Sequence, residues 1–456
     1  MRAVLQQAPT PALRTEPVRD EEDPRVRRGR ALSLVEGTFA TVMLGVTETF
    51  AVPAAVFLGA PPLAIALLGS LPLFLGSLGQ LAFLRLSDSG KPRRRPVITG
   101  VLAQAVLLVA CAAAGYASRE LAPWVFVLAF VAFGVSGNLV NHLWISWMRD
   151  LTPAPMRGRL FAARNRVLVM VQLTCALLLG VVAREYTSSS APWSFFFTIF
   201  GIAGIARALS GAMLALQYEP PRAFDPPSGH VVSLRPEFLR FCIATALLQG
   251  ATAVSGPFFN VWYLKELHFD YLSVSLCTVA TLVGSMLFLP IWGRVADRIG
   301  SFRLLLVAAA LVAIVPLPYL VFETPRAIWG LSLYSGIVWS AYNLGHFNTL
   351  IDSVGNRHAE REIAIAVAIT GIAVFAGGLL GGVLATHVPP VAGSRLRAVF
   401  LASAIGRLLV VLFLFRTLKP MAPLPDASPL DAFNKLPGYR FGMGILRGAF
   451  RAFRRQ

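Results

Sequence analysis

The chain has 456 residues, of which 56% are hydrophobic and only 14% charged, with a mean hydropathy of +0.65. Soluble domains carry about 25% charged residues, so an aqueous globule is excluded and a bilayer is the matching solvent. The net charge of +18 does not point to nucleic acid: the basic residues sit in short connections and tails between apolar runs, a pattern of membrane topology.

Residues 1–31 are rich in proline and charge and read as a disordered cytosolic tail. A bilayer core about 30 Å thick needs about 20 apolar residues in a helix. Twelve runs meet this requirement: 32–58, 62–84, 97–116, 123–148, 165–184, 193–217, 238–264, 271–292, 303–322, 328–350, 364–388 and 396–418. With the N-terminus inside, the inside segments hold 33 of the 41 Lys and Arg residues and the outside loops hold 6, leaving Arg207 and Arg407 within apolar runs. That asymmetry predicts a multi-pass protein of an inner or plasma membrane with both termini cytoplasmic.

The polar, proline-rich stretch 218–237 divides the chain into bundles at 32–217 and 238–418, followed by a basic tail at 419–456. The bundles resemble each other. Arg85 and Asp88 match Arg294 and Asp297 at an offset of 209, and Asn141, Asp150 and Arg159 match Asn343, Asp352 and Arg361 at 202. Phe200, Ile205 and Arg207 match Phe400, Ile405 and Arg407 at 200. Three matches in order predict a duplicated six-helix unit in one orientation, a pseudo-twofold repeat about an axis along the membrane normal.

Residues 292–303 carry Gly293, Arg294, Asp297, Arg298, Gly300 and Arg303 directly after the eighth run. They resemble the G-x-x-x-D-R-x-G-x-[RK] loop of the major facilitator superfamily. The copy after the second run, from Leu84 through Arg85, Asp88 and Gly90 to Arg93, is degenerate, with Leu84 in place of the first glycine. The resemblance covers about 32–418, through topology and repeat more than through motif. It implies an all-α fold of twelve membrane helices and loops that latch one conformation, with Asp150, Arg159, Asp352 and Arg361 as further latch residues. In this reading Gly293 lets a helix end lie close to its neighbour, and Asp297 sits at a helix N-terminus or pairs with loop arginines. Subfamily signatures are lacking. The fifth run has no Gly-Pro pair, the fourth has no arginine, and Glu219-Pro-Pro-Arg222 only faintly echoes the sugar-porter loop.

By the resemblance, the first and fourth helices of each half line a central path. In the first, Thr41 and Glu48 fall on one stripe with Gly37 and Gly45. Glu48 is deep, and an intramembrane carboxylate is a functional candidate, here a proton carrier or a contact to a cationic group; the alternative is a protonated structural acid. Glu36 reads as interfacial. The fourth helix offers Asn138, Asn141 and His142, and the seventh Gln249 and Asn260, with Pro257 positioned to break the helix. The tenth offers Trp339, Tyr342, Asn343 and His346, an aromatic–polar face suited to an organic solute. Arg207 and Arg407 read as structural, capping loop carbonyls or paired with an acid of the same half; the alternative is contact with substrate. The end of the C-tail, 441–456, reads as an amphipathic helix on an anionic leaflet.

The expected function is secondary transport of a small organic solute by a rocker-switch, driven by protons, in a monomer without cofactor, metal or nucleic acid. No phosphate loop supports ATP hydrolysis. Two other classes stay open: a transporter-like receptor or assembly factor, and a membrane enzyme on lipid-linked substrates. The second would need clustered carboxylates or histidines that the sequence lacks.

Overall fold

The computed structural model describes residues 24–87, 92–152, 154–186, 192–220, 234–354, 359–421 and 423–425, with side chains of 81–87, 154–159 and 359–360 not described. The expected surface helix at 441–456, most of the linker and residues 1–23 lie outside the described residues, as does Asp88. So do the side chains of Arg85 and Arg159.

Every predicted span is a helix. The first half holds α1 (Pro24–Phe57), α2 (Pro62–Ser87), α3 (Arg94–Ala113), α4 (Ala122–Leu151), α5 (Ala154–Val182) and α6 (Trp193–Leu216). The second holds α7 (Pro236–Ala253), α8 (Phe258–Lys265), α9 (Tyr271–Ile299), α10 (Ser301–Ile314), α11 (Pro325–Ser353), α12 (Ala359–His387) and α13 (Arg395–Phe413). Eleven spans are long and apolar enough to cross a bilayer by length and composition, with α7 and α8 counted as one. The helix α11 has the length, 29 residues, and misses only on its run of Ser, Tyr, Asn and His. The protein is a multi-pass membrane protein, and α11 is polar because one of its sides faces protein.

Two boundaries differ from the sequence reading. The helix α1 starts at Pro24, so 24–31 are helical rather than tail. The helix α5 starts at Ala154, which takes Arg164 and Arg166 into a helix. Both starts are polar and basic, and hydropathy does not register a helix that continues beyond its apolar run. The seventh span breaks where Pro257 was expected to break it, with a turn at 254–257 between α7 and α8. Proline has no N–H to donate back into the preceding turn.

The packing repeats. In the first half α1 packs on α5 and α6, α3 on α4 and α6, and α2 on α4. In the second, α7 packs on α12 and α13, α10 on α11 and α13, and α9 on α11. Replacing each helix by its counterpart maps one pattern onto the other. The halves meet through α2 with α12 and α5 with α9, which are also counterpart pairs. This is a pseudo-twofold repeat. At the α2–α12 seam, a Cβ on Gly378 would lie 2.6 Å from the Ser70 side chain, so only glycine permits that approach.

Candidate solute path

In the first half, Glu36 is 3% exposed and lies inside the bundle, not at the interface as the sequence suggested. Arg164 Nη2 of α5 pairs with Glu36 Oε2 at 3.2 Å, and its Nε donates to the Ser33 carbonyl at 3.3 Å. Ser210 of α6 donates to Glu36 Oε1 at 3.0 Å. Arg207 donates to Ser210 Oγ at 3.2 Å and to Gln104 Oε1 of α3 at 2.6 Å. The Arg164 guanidinium also lies 4.7 Å from the Trp144 ring centroid of α4. One acid thus joins two cations across five helices. Gly37 makes room, since a Cβ there would fall 2.4 Å from Arg164 Nη2. A buried carboxylate is tolerable only when paired and hydrogen-bonded, and this one is both.

Two turns further along α1 from Thr41, Glu48 is exposed, and Gln172 Nε2 of α5 donates to its Oε2 at 2.5 Å. Its surroundings indicate which way it faces. An open apolar groove between α1 and α5 is lined by Val42, Met170, Thr174 and Leu178. At 3.6 residues per turn, Glu48 points roughly 120° from Val42, and Gln172 roughly 160° from Met170. Gln172 lies within about 80° of Gly180, which packs on Ser275 of α9 in the other half. Cys175, which also lines that groove and meets Gly45 of α1, lies about 60° from Gln172 on its other side, so the pair sits between the groove and the side of α5 that meets α9. Thr41 is buried.

The α4 residues separate. Asn138 is tied to α2, its Nδ2 donating to the Pro72 carbonyl at 3.2 Å and to Gly134 O at 3.1 Å. His142 Nδ1 bonds the Asn138 carbonyl of its own helix at 2.7 Å. Asn141 is exposed. The expected single polar face is thus one exposed amide beside two packing contacts.

The second half gathers more of its candidates. Asn260 of α8 and Trp339 of α11 line a common cavity of about 270 Å³ together with Gly256, Ser335, Thr278 of α9 and Arg407 of α13. The helix break places Asn260 there, because α8 resumes from Pro257. Tyr342 and His346 are not in this lining. His346 is stacked between Phe241 of α7, at 5.6 Å, and Tyr342, at 5.8 Å. Tyr342 is 0% exposed, a packing residue beside the cavity. Gln249 is half-buried and Asn343 exposed; neither joins the lining.

At the end opposite the basic loops the halves are sealed by aromatic rings. Tyr271, at the start of α9, is 0% exposed. Its ring lies 6.0 Å from Phe50 of α1 and 6.1 and 5.7 Å from Phe195 and Phe196 of α6. Its backbone N–H donates to the Tyr186 carbonyl at 3.2 Å. Midway along their helices, Phe74 of α2 stacks on Phe375 of α12 with centroids 4.6 Å apart.

The basic loops form a clasp in the first half. Arg93 Nη2 meets Asp150 Oδ2 at 2.6 Å, and its Nη1 donates to Ser146 at 2.7 Å. Glu219, just beyond α6, accepts the backbone N–H groups of Arg93 at 2.7 Å and Arg94 at 3.2 Å. It thereby caps the start of α3, where a negative charge complements the helix dipole. In the second half Gly300 turns the chain at φ +87 between α9 and α10, and Arg303 donates to the Pro425 carbonyl at 2.8 Å. Arg294 donates within its own helix, to the Pro290 carbonyl. Asp297, Arg298 and Asp352 are exposed, and among the described residues Asp297 makes no ion pair. Arg361 is half-buried and does have a partner. Gly293 faces open space, so no close helix approach explains it.

These features define a class: a membrane protein of two repeated six-helix bundles that meet through α2 with α12 and α5 with α9. Residues 241–456 match the family model described as Major Facilitator Superfamily. The second half is thus similar to that superfamily by sequence, and the chain shares the fold of the transporters below. Among solved structures, the nucleoside transporter NupG is similar at a TM-score of 0.64 and 13% identity, over 87% of this chain and 100% of that one. The xylose transporter XylE from E. coli, in an inward-open conformation, is similar at 0.63 and 16%, over 89% and 98%. A bacterial homologue of the human lysosomal transporter Spinster, inward-facing and unoccupied, is similar at 0.60 and 14%, over 87% and 97%. No curated protein sequence matches the chain.

Five residues central to this arrangement escaped the sequence reading as site candidates: Arg164, Gln172, Tyr271, Arg93 and Glu219. For Arg164 a signal existed. It lies ten residues into α5 and Glu36 twelve into α1, equal depths from one face, legible only once the helix starts are known.

Proposed function

We propose that the protein is a secondary transporter of a small organic solute, working by alternating access between its two halves. The observation that carries this reading is the one-sided seal. Tyr271 of the second half packs among Phe50, Phe195 and Phe196 of the first, and the Glu48–Gln172 pair lies beside this contact on α1 and α5. A duplicated bundle hinged in this way rocks to expose the midplane to either side.

Glu48 is the proposed proton carrier. It is exposed, deep within α1 and bonded to a neutral amide, so it can be ionised or protonated without breaking an ion pair. Thr41, Asn138, Asn141, His142, Gln249, Asn260, Trp339, Tyr342, Asn343 and His346 remain the proposed path residues, with Asn260 and Trp339 nearest to a cavity. The loops around Arg85, Asp150, Arg294, Asp297, Arg298, Gly300, Arg303, Asp352 and Arg361 are the proposed latch. The charge bias supports an orientation in the cell membrane with the basic face, and both termini, in the cytoplasm; a monomer is proposed.

The test measures paired spin-probe distances, with probes at Leu121 and Val321 on the sealed face and Arg95 and Ile351 on the basic face. A transporter samples states in which the two distances change in opposite senses. A single fixed pair of distances under all solute and pH conditions, as in a receptor or assembly factor, would reject the reading.

A further inference from the structure

The repeat-equivalent arginines Arg207 and Arg407 are both buried, yet their charges are handled differently. Arg207 shares a network with Glu36 through Ser210. Arg407 is 1% exposed and donates only to neutral oxygens: Ser403 Oγ at 3.1 Å, the Val312 carbonyl at 3.1 Å and Ser255 Oγ at 2.9 Å. A guanidinium has five N–H donors. Three are engaged here, and among the described residues no carboxylate reaches Arg407.

A buried cation without a counter-charge is costly. The first half meets this cost with an acid of its own. In the second half Arg407 instead forms part of the wall of the 270 Å³ cavity. The rest of that wall has two kinds of chemistry. Asn260, Thr278 and Ser335 present hydrogen-bonding groups, and Phe259, Tyr319 and Trp339 present rings. An apolar cavity of about 150 Å³ accepts benzene, so this one has room for a ring bearing an acid group.

We propose that the second-half cavity binds an aromatic carboxylate, with Arg407 as its counter-charge and the ring against the aromatic wall. The proposal rests on the transport reading and deepens it by assigning the solute's class: an organic anion. Guanidinium and carboxylate form the strongest of the ordinary hydrogen-bonded pairs. Rings on the cavity wall select a flat apolar body over a sugar or a free inorganic ion.

The test is isothermal titration of the full-length protein in detergent with benzoate, and with benzamide as its neutral isostere. Benzoate is expected to bind at least tenfold more tightly than benzamide. Arg407→Gln should weaken benzoate at least tenfold, and Ser335→Phe, which fills the cavity without touching the arginine, should abolish its binding. Should Arg407→Gln not fold, the isostere pair and Ser335→Phe decide alone. Equal binding of benzoate and benzamide, no benzoate binding, benzoate binding unchanged in Ser335→Phe, or chloride binding alone would each overturn the proposal. Benzoate binding without its movement into proteoliposomes would leave the cavity assignment standing and reject transport of this solute class. Transport of another solute class without benzoate binding would do the reverse.

Discussion

Gln172 and Glu48 form a 2.5 Å hydrogen bond between α5 and α1, and the carboxylate has no cationic partner in that contact. An exposed acid held by an amide can change protonation state without breaking an ion pair. Glu36, twelve residues earlier on the same helix, is locked to Arg164 and reached by Ser210. Two acids on one helix thus have different partners.

Glu48→Gln is therefore expected to abolish proton-driven accumulation, by at least tenfold in initial rate, while leaving the melting temperature within a few degrees of wild type. The check is uptake into proteoliposomes with and without an imposed pH gradient. In the wild type, accumulation should rise with the gradient; in the variant it should not respond. An unimpaired response would remove Glu48 from the coupling.

Glu36→Gln should destabilise more than Arg164→Gln. Removing the acid leaves buried Arg207 and half-buried Arg164 without their counter-charge. Removing Arg164 leaves Glu36 bonded to Ser210, next to Arg207. Breaking a buried pair costs about 3–5 kcal/mol, and that upper range is expected for Glu36→Gln. Thermal melting in detergent reads the order of the two variants, and a larger loss for Arg164→Gln would contradict the network.

Tyr271→Ala should weaken the aromatic seal. Ring pairs contribute about 0.5–1.5 kcal/mol each, so losing three shifts the balance between conformations by on the order of 2–4 kcal/mol, more than tenfold in population. The probe pair at Leu121 and Val321 should then report a longer, broader distance distribution than in the wild type. No change would show that the seal is held elsewhere.

Glu219→Gln should loosen the start of α3. Hydrogen bonds to a charged group contribute about 1.5–3 kcal/mol, so amide exchange at Arg93 and Arg94 should accelerate roughly 10- to 100-fold. Exchange mass spectrometry on a peptide spanning 92–97 measures it. The Arg93–Asp150 pair is retained in this variant, so helix α4 should keep its protection.

The spans were legible because each helix must satisfy its backbone within lipid and shows this as an apolar run. The repeat was legible at Arg207 and Arg407, since a buried arginine in lipid is rare enough to register twice. Helix entries were not legible. The starts at Pro24 and Ala154 are polar, so Arg164 was read as a loop cation when it is the partner of Glu36. The face of α4 was misjudged for a related reason. Asn138, Asn141 and His142 share a stripe, but Asn138 is claimed by the α2 backbone at Pro72, and a helical stripe does not reveal which neighbour it meets.

By itself, the order of residues determined the solvent, the number of crossings, the duplication and the break at Pro257, because hydropathy and backbone chemistry act within a single helix. Only the tertiary structure decided that Glu36 is paired with Arg164 while Glu48 meets a neutral amide, that Tyr271 packs among rings of the other half, and that no acid lies beside Arg407 among the described residues. Those outcomes depend on distances between helices far apart in the chain, where a shift of a few ångströms decides whether two charges form a pair.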